Sequence, residues 1–274
     1  MLDTAFVEVA NRMADAAGEI LRKAYRQPLT IDHKADASPV TQVDREVESA
    51  LRALIEKHFP GHGIIGEEFG NVRESSPYQW VLDPIDGTHA FIAGTPTFTT
   101  LIALAYEGVP VLGVIDQPIT KERWVGVAGE KTVYRKSPHP NLLPEGEGAL
   151  IPSPPGRGQG EGKTLAQATL ATTAMKYFTA DEAAIFTKLQ TQCANVIFGG
   201  DGYLYAKLAS GEIDLVIEAG LKPYDFCALK PVVEGAGGVI SDWNGKPVTI
   251  ASGGSIIAAA NKQLHAEALA LLCQ

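Results

Sequence analysis

Four acidic residues stand where their carboxylates could converge. Asp83 and Asp86 lie three apart in Asp83-Pro84-Ile85-Asp86-Gly87, a turn by composition that follows the apolar run 78–82. Glu67, with Glu68 beside it, closes a short apolar segment, and Asp225 opens a helical pattern after another strand. Carboxylate oxygens are the ligands that hard cations such as magnesium prefer. Two such ions a few Å apart can clamp an in-line phosphoryl displacement. A turn can aim Asp83, Asp86 and the Ile85 carbonyl at one point, and the carboxyl ends of strands are where open α/β sheets bind ligands.

Each residue also has a plainer reading. Asp-Pro and Asp-Gly pairs are commonest in ordinary turns. Asp225 alone reads as a helix N-cap or first-turn acid, and Glu67 alone as a solvated loop charge. Asp44 follows Thr41 by three residues, the spacing of a capping box. Spacing alone leaves both sets of readings open.

The elements that must position these acids follow from periodicity. Residues 4–25 and 41–58 read as amphipathic helices, with 31–40 a loop or short hairpin between them. Strands are expected at 63–66 and at 78–82, the second stopping at Asp83. A hairpin over 99–106 and 111–115 turns at Glu107-Gly108-Val109-Pro110, and a strand at 123–128 follows. The Pro- and Gly-rich run 136–163 fits neither period and reads as a flexible insertion. Beyond it strands at 169–172, 195–198, 213–218, 238–241 and 255–259 alternate with helices at 181–190, 201–209, 225–235 and 262–272, which implies an α/β half. The organisation expected is an α+β half over 1–135 carrying the acidic motifs, the insertion 136–163, and an α/β half over 164–274 that completes the site.

Bulk properties narrow the function. A net charge of −9 argues against general nucleic-acid binding, and bound cations would reconcile it with an anionic substrate. The three cysteines, Cys193, Cys227 and Cys273, are far apart, which suits a reducing compartment and no zinc site. No apolar stretch approaches the roughly 20 residues of a membrane span. A cytoplasmic protein without a membrane or nucleic-acid partner is expected.

Longer strings sharpen the reading. They are Lys34 to Asp44, Gly66-Glu67-Glu68, Trp80-Val81-Leu82-Asp83-Pro84-Ile85-Asp86-Gly87-Thr88, and Lys222-Pro223-Tyr224-Asp225 continuing to Gly238. Together they resemble the inositol monophosphatase family, in its order and over nearly the whole chain outside 136–163. The resemblance implies a layered αβαβα fold of the inositol monophosphatase and fructose-1,6-bisphosphatase type. It implies a magnesium-dependent phosphomonoesterase with two or three ions per site, frequent lithium sensitivity and a homodimer. Carried over by position, Glu67, Asp83 and the Ile85 carbonyl would hold one metal, Asp83, Asp86 and Asp225 a second, and Glu67 would help place a weaker third. Glu68 is the competitor for Glu67. Manganese is open beside magnesium, since both favour oxygen ligands. Thr88 and Asp44 would orient and deprotonate the attacking water, and Gly87 and Thr88 would begin a helix facing the phosphate.

Within the family, His89 to Phe98, Gly199-Gly200-Asp201-Gly202-Tyr203 and Leu221 to Leu229 resemble the histidinol-phosphatase branch. A substrate carrying an amine and an imidazole calls for acceptors beyond the metals. Asp201 and Glu218 could supply them, with His89 a further contact; a helix N-cap and a strand-end charge are the plainer readings of the two acids. Histidinol-phosphate hydrolysis, in histidine biosynthesis, is therefore expected. The alternatives are an inositol or broad sugar phosphatase and, in another class, a regulatory RNA- or protein-binding member of the family.

Overall fold

The computed structural model describes residues 2–33, 39–136 and 163–272. Lys34 to Ser38 of the first motif, Cys273, and 137–162 of the expected insertion lie outside them.

The chain opens with α1 (Thr4–Ala24), then β1 (Ile31–His33) and β2 (Pro39–Thr41), which pair antiparallel as the arms of a hairpin. Helix α2 (Gln42–His58) follows Thr41, whose side chain caps it in a capping box with Asp44. A seven-stranded sheet comes next: β3 (Gly63–Gly66), β4 (Gly70–Val72), β5 (Tyr78–Asp86), β6 (Thr99–Tyr106), β7 (Val109–Gln117), β8 (Glu122–Val127) and β9 (Val133–Lys136), in spatial order 4-3-5-6-7-8-9. The short helix α3 (Thr88–Ile92) interrupts it after β5.

The second sheet has five strands. They are β10 (Thr169–Thr172), β11 (Asn195–Phe198), β12 (Leu215–Glu218), β13 (Val239–Asp242) and β14 (Ile256–Ala259), ordered 11-10-12-14-13. Strands β10, β11 and β12 run parallel, and β14 is antiparallel to β12 and β13. Its helices are α4 (Ala180–Gln190), α5 (Asp201–Ala209), α6 (Pro223–Phe226), α7 (Leu229–Gly235) and α8 (Lys262–Leu272).

Three apolar cores stack these pieces into an αβαβα sandwich. Met13, Leu21, Leu51 and Ile55 of α1 and α2 pack on Trp80, Leu82 and Ile102 of the large sheet. Between the sheets, Leu204, Tyr205 and Leu208 of α5 and Val232 and Val233 of α7 meet Val81, Leu101 and Trp124 on one side and Val216 and Ala258 on the other. Phe186, Leu189, Leu264 and Ala268 of α4 and α8 cover the far face of the small sheet. Helix α7 lies directly on β7 and β8: a Cβ at Gly113 would stand 2.0 Å from the Ala228 carbonyl oxygen, and one at Gly126 2.3 Å from the Pro231 backbone.

Three expectations need correction. The strand expected to stop at Leu82 runs through to Asp86, with its pairing to β6 shifted between Asp83 and Asp86. Pro84 has no N–H to give the ladder, and the irregularity sits around it. The hairpin turn is shorter than Glu107 to Pro110, because Val109 and Pro110 belong to β7. The single helix expected over 225–235 is two, α6 and α7, broken at Cys227 and Ala228. Pro231 explains the break: its ring cannot accept a helical turn running back through residue 227.

Candidate active site

The shifted pairing in β5 sets up the site. In a regular strand, residues three apart face opposite sides. The irregularity around Pro84 removes that alternation, and Asp83 and Asp86 both reach the same cavity. The Pro84 carbonyl, set askew, is satisfied by Thr100 Oγ1 at 2.9 Å.

From the other half, α6 brings Asp225. Carboxylate oxygens of Asp83, Asp86 and Asp225 lie within 4.8 Å of one another. The cavity wall also takes in Glu67, Ile85, Gly87, Thr88, His89, Asp201 and Glu218, whereas Glu68 is not part of it. Sequence positions more than 150 residues apart thus face one space.

The plain readings of several acids hold, and the same residues still face the cavity or Thr88. One Asp44 oxygen, Oδ2, accepts from the Thr41 N–H at 2.8 Å and the Thr41 hydroxyl at 2.6 Å, completing the cap. The other, Oδ1, stands 3.4 Å from Thr88 Oγ1, which is also 3.1 Å from the Ile85 carbonyl oxygen. Asp225 Oδ2 accepts from the Lys222 N–H at 2.6 Å as a helix cap, while the residue faces the other aspartates. Asp86 Oδ2 accepts from Thr99 Oγ1 at 3.1 Å and from the Gly202 N–H. Structural bonds to one oxygen fix the direction of the other.

The carboxylates of the cavity oppose one another's ionisation. Burial, then the charges of Glu67, Asp86 and Asp225, pushes Asp83 well above the usual carboxylate range. Burial likewise raises Asp86, with Asp201 and Asp225 adding to it. Asp225 is pushed up to about 7, mainly by burial. Asp83 Oδ1 is buried without a hydrogen-bond partner among the described residues. An all-oxygen donor set holding an orphaned carboxylate oxygen fits a hard divalent cation and offers nothing to a thiolate-seeking metal.

Beside the aspartates lies a second acidic wall. Glu218, at the end of β12, accepts from the Thr173 N–H at 3.0 Å, and burial lifts its carboxyl to about 7. Asp201 opens α5 in a left-handed conformation (φ 45°), and burial raises it to about 6 against the pull of Lys176. Its carboxylate lies against Gly87, where a Cβ would approach Asp201 Oδ2 to 2.7 Å. Gly87 itself has φ 88°, so this position suits glycine twice over. His89 Nε2 is 3.5 Å from Lys176 Nζ, and burial together with that lysine lowers its pKa.

Sequence reasoning gave no role in the site to Thr99, the Gly202 N–H, Lys176 or Glu48. Glu48 had a visible signal: with Asp44 it is a charged residue on the otherwise apolar buried face of α2, between Val47 and Leu51. The bond of Thr99 to Asp86 spans 13 residues and forms when β6 pairs with β5, and that of Gly202 spans 116, so no local pattern foretells them.

Comparison with known proteins agrees with this architecture. The family model described as the inositol monophosphatase family matches residues 3–274. A bifunctional phosphatase, the chloroplastic IMPL2 of Arabidopsis thaliana, is 44% identical over 96% of this chain and 74% of its own. The histidinol-phosphatase of Mycobacterium tuberculosis is 34% identical over 96% of each. Among solved structures, an inositol monophosphatase from Zymomonas mobilis superposes with a TM-score of 0.83 at 42% identity, over 100% of both chains. The chain belongs to the inositol monophosphatase family, whose members are phosphatases of small phosphorylated substrates. No helix among the described residues is long and apolar enough to cross a membrane.

Proposed function

We propose that this protein is a magnesium-dependent histidinol-phosphate phosphatase, releasing histidinol and inorganic phosphate for histidine biosynthesis. The observation that carries the substrate choice is the second acidic wall. Asp201 and Glu218 line the cavity beyond the three aspartates, where a neutral polyol needs no negative charge. An amine or imidazolium would compensate both buried carboxylates.

Glu67, Asp83, Asp86, Asp225 and the Ile85 carbonyl would hold the ions, magnesium or manganese. When bound, they would supply Lewis acidity that activates water and offsets charge on the leaving oxygen. The chain's own residues do the rest. The Thr88 hydroxyl orients the attacking water and passes its proton towards Asp44 Oδ1, which the Thr41 cap holds in place. The N–H groups of Gly87 and Thr88, at the start of α3, have no intrahelical acceptor and are available to phosphate oxygens. Asp201 and Glu218 seat the cationic end of the substrate.

The sequence halves, 1–135 and 164–274, act as two walls of one cleft. A reducing, cytoplasmic setting suits the free thiols of Cys193 and Cys227. A homodimer is the working unit the family resemblance implies, and the edge strand β11 exposes two apolar side chains, Ile197 and Phe198, of the kind that subunit contacts cover.

Phosphate release from a panel of small phosphomonoesters, with and without magnesium, tests the reading. The expected result is the highest kcat/KM for histidinol phosphate, lost on chelation. A clear preference for inositol phosphate would replace the substrate assignment with the inositol or sugar phosphatase reading. A cellular phenotype that survives Asp86→Asn, with hydrolysis gone, would favour the regulatory role.

A further inference from the structure

Glu67 sits on a three-residue turn between β3 and β4, and the backbone of that turn is gripped from two sides. The Glu67 N–H donates to the Leu82 carbonyl of β5, 3.3 Å away. The next two N–H groups both donate to the Glu48 carboxylate on α2: Glu68 N to Oε2 at 2.7 Å and Phe69 N to Oε1 at 3.2 Å. The Glu48 side chain has no solvent exposure, and Arg52, one turn on, pairs with Oε1 at 2.8 Å. The close fit extends to Gly66, where a Cβ would come within 2.1 Å of Glu48 Oε1.

A buried carboxylate costs a great deal to desolvate and is retained where its bonds matter. Three donors converge on Glu48, from Arg52, Glu68 and Phe69. Two of the three belong to the backbone of a single turn, the one that carries Glu67 to the cavity wall. Asp44, one helical turn earlier on α2, faces Thr88 in the same way. Helix α2 therefore reaches the site through two acids, one towards Thr88 and one behind Glu67.

We propose that Glu48 is a positioning residue for the cation site, fixing the Glu67–Phe69 turn so that the Glu67 carboxylate meets the ion. The proposal rests on the reading of Glu67 as a cation ligand. Glu48→Gln keeps the shape and sets an amide N–H₂ against one of the three donors, loosening the turn. Supporting partners of this kind are worth about 10- to 100-fold in metal affinity.

The test is direct binding of Mn²⁺ by calorimetry or electron paramagnetic resonance, on folded protein without substrate. Glu48→Gln should weaken binding about tenfold. Combined with Glu67→Gln it should add little to the loss from Glu67→Gln alone, because both act through one ligand. Glu122→Gln, at a buried carboxylate of β8 that bonds Tyr134 and not this turn, should bind Mn²⁺ as the wild type does. Additive losses, wild-type binding by Glu48→Gln, or an equal loss from Glu122→Gln would each overturn the proposal. If Glu48→Gln fails to fold, Gly66→Ala, which drives a methyl into Glu48, replaces it with the same expected and opposing results. Wild-type protein that binds no Mn²⁺, or Glu67→Gln that binds it normally, would sink the ligand reading itself.

Discussion

Glu122 and Asp83 are both shut away from solvent, at 5% and 2% exposure, and their surroundings treat them in opposite ways. Glu122, on β8, accepts from the Tyr134 hydroxyl at 2.8 Å and from the Tyr203 hydroxyl, with Lys136 at 3.5 Å and Lys207 at 4.0 Å. Burial alone would raise its pKa, but these donors win and hold it at about 2. Asp83 has acids around it in place of hydroxyls and ammonium groups, and its pKa moves up. The fold can satisfy a buried carboxylate completely, as it does at Glu122. Leaving three aspartates to repel one another is destabilising, and it persists where a ligand of opposite charge supplies the compensation.

The largest effect that would sharpen this contrast comes from Asp83→Asn. It should lower kcat/KM about a thousandfold or more, the scale of losing a preorganised electrostatic group. The same change removes like-charge repulsion, so the chelated protein should melt about 2–4 °C higher than chelated wild type. Paired kinetics and calorimetry in EDTA check both parts; a lower melting temperature would break the comparison.

Thr88→Ala should reduce kcat about a hundredfold by removing a proton-relay group, with KM nearly unchanged. Steady-state kinetics separate the two constants.

Glu122→Gln should do the reverse of Asp83→Asn. It leaves the Tyr134 and Tyr203 hydroxyls facing an amide and should cost about 2 kcal/mol, read from urea unfolding. That loss depends on pH. The folded pKa of about 2 lies below the ordinary 4.5. The unfolded chain therefore binds the proton more readily, and the stability from ionised Glu122 is complete above about pH 4.5. It drains away as pH falls towards 2. The gap between wild type and Glu122→Gln should close across that window, and a gap that stays constant would deny the depressed pKa.

The smallest expected effect lies in specificity. Glu218→Gln or Asp201→Asn should weaken kcat/KM for histidinol phosphate about tenfold more than for inositol phosphate, the worth of one charge-assisted hydrogen bond. Equal losses on both substrates would show that the second acidic wall does not read substrate charge.

Much of this architecture was legible in the sequence. The apolar period of 43, 47, 51 and 55 announces α2, and Thr41 with Asp44 marks its start to the residue. The strand at 63–66 and the helices at 201–209 and 262–272 follow from composition and turn residues alone. These features depend on local backbone preference and on which face is apolar, and both are written in consecutive residues. Local rules also called Asp44 and Asp225 caps, and those caps exist.

The rest needed the folded chain. The continuation of β5 to Asp86 depends on pairing with β6, and the break between α6 and α7 on how Pro231 meets a preceding turn. The Thr41 and Lys222 caps on Asp44 and Asp225 are local, but what the other oxygen of Asp44 meets and how Asp86 is held is settled by Thr88, Thr99 and Gly202, the last 116 residues from Asp86. So is the fate of a buried charge, satisfied at Glu122 and opposed at Asp83. Electrostatic energy depends on distance through space and on exclusion of water, and neither is defined until the layers have packed.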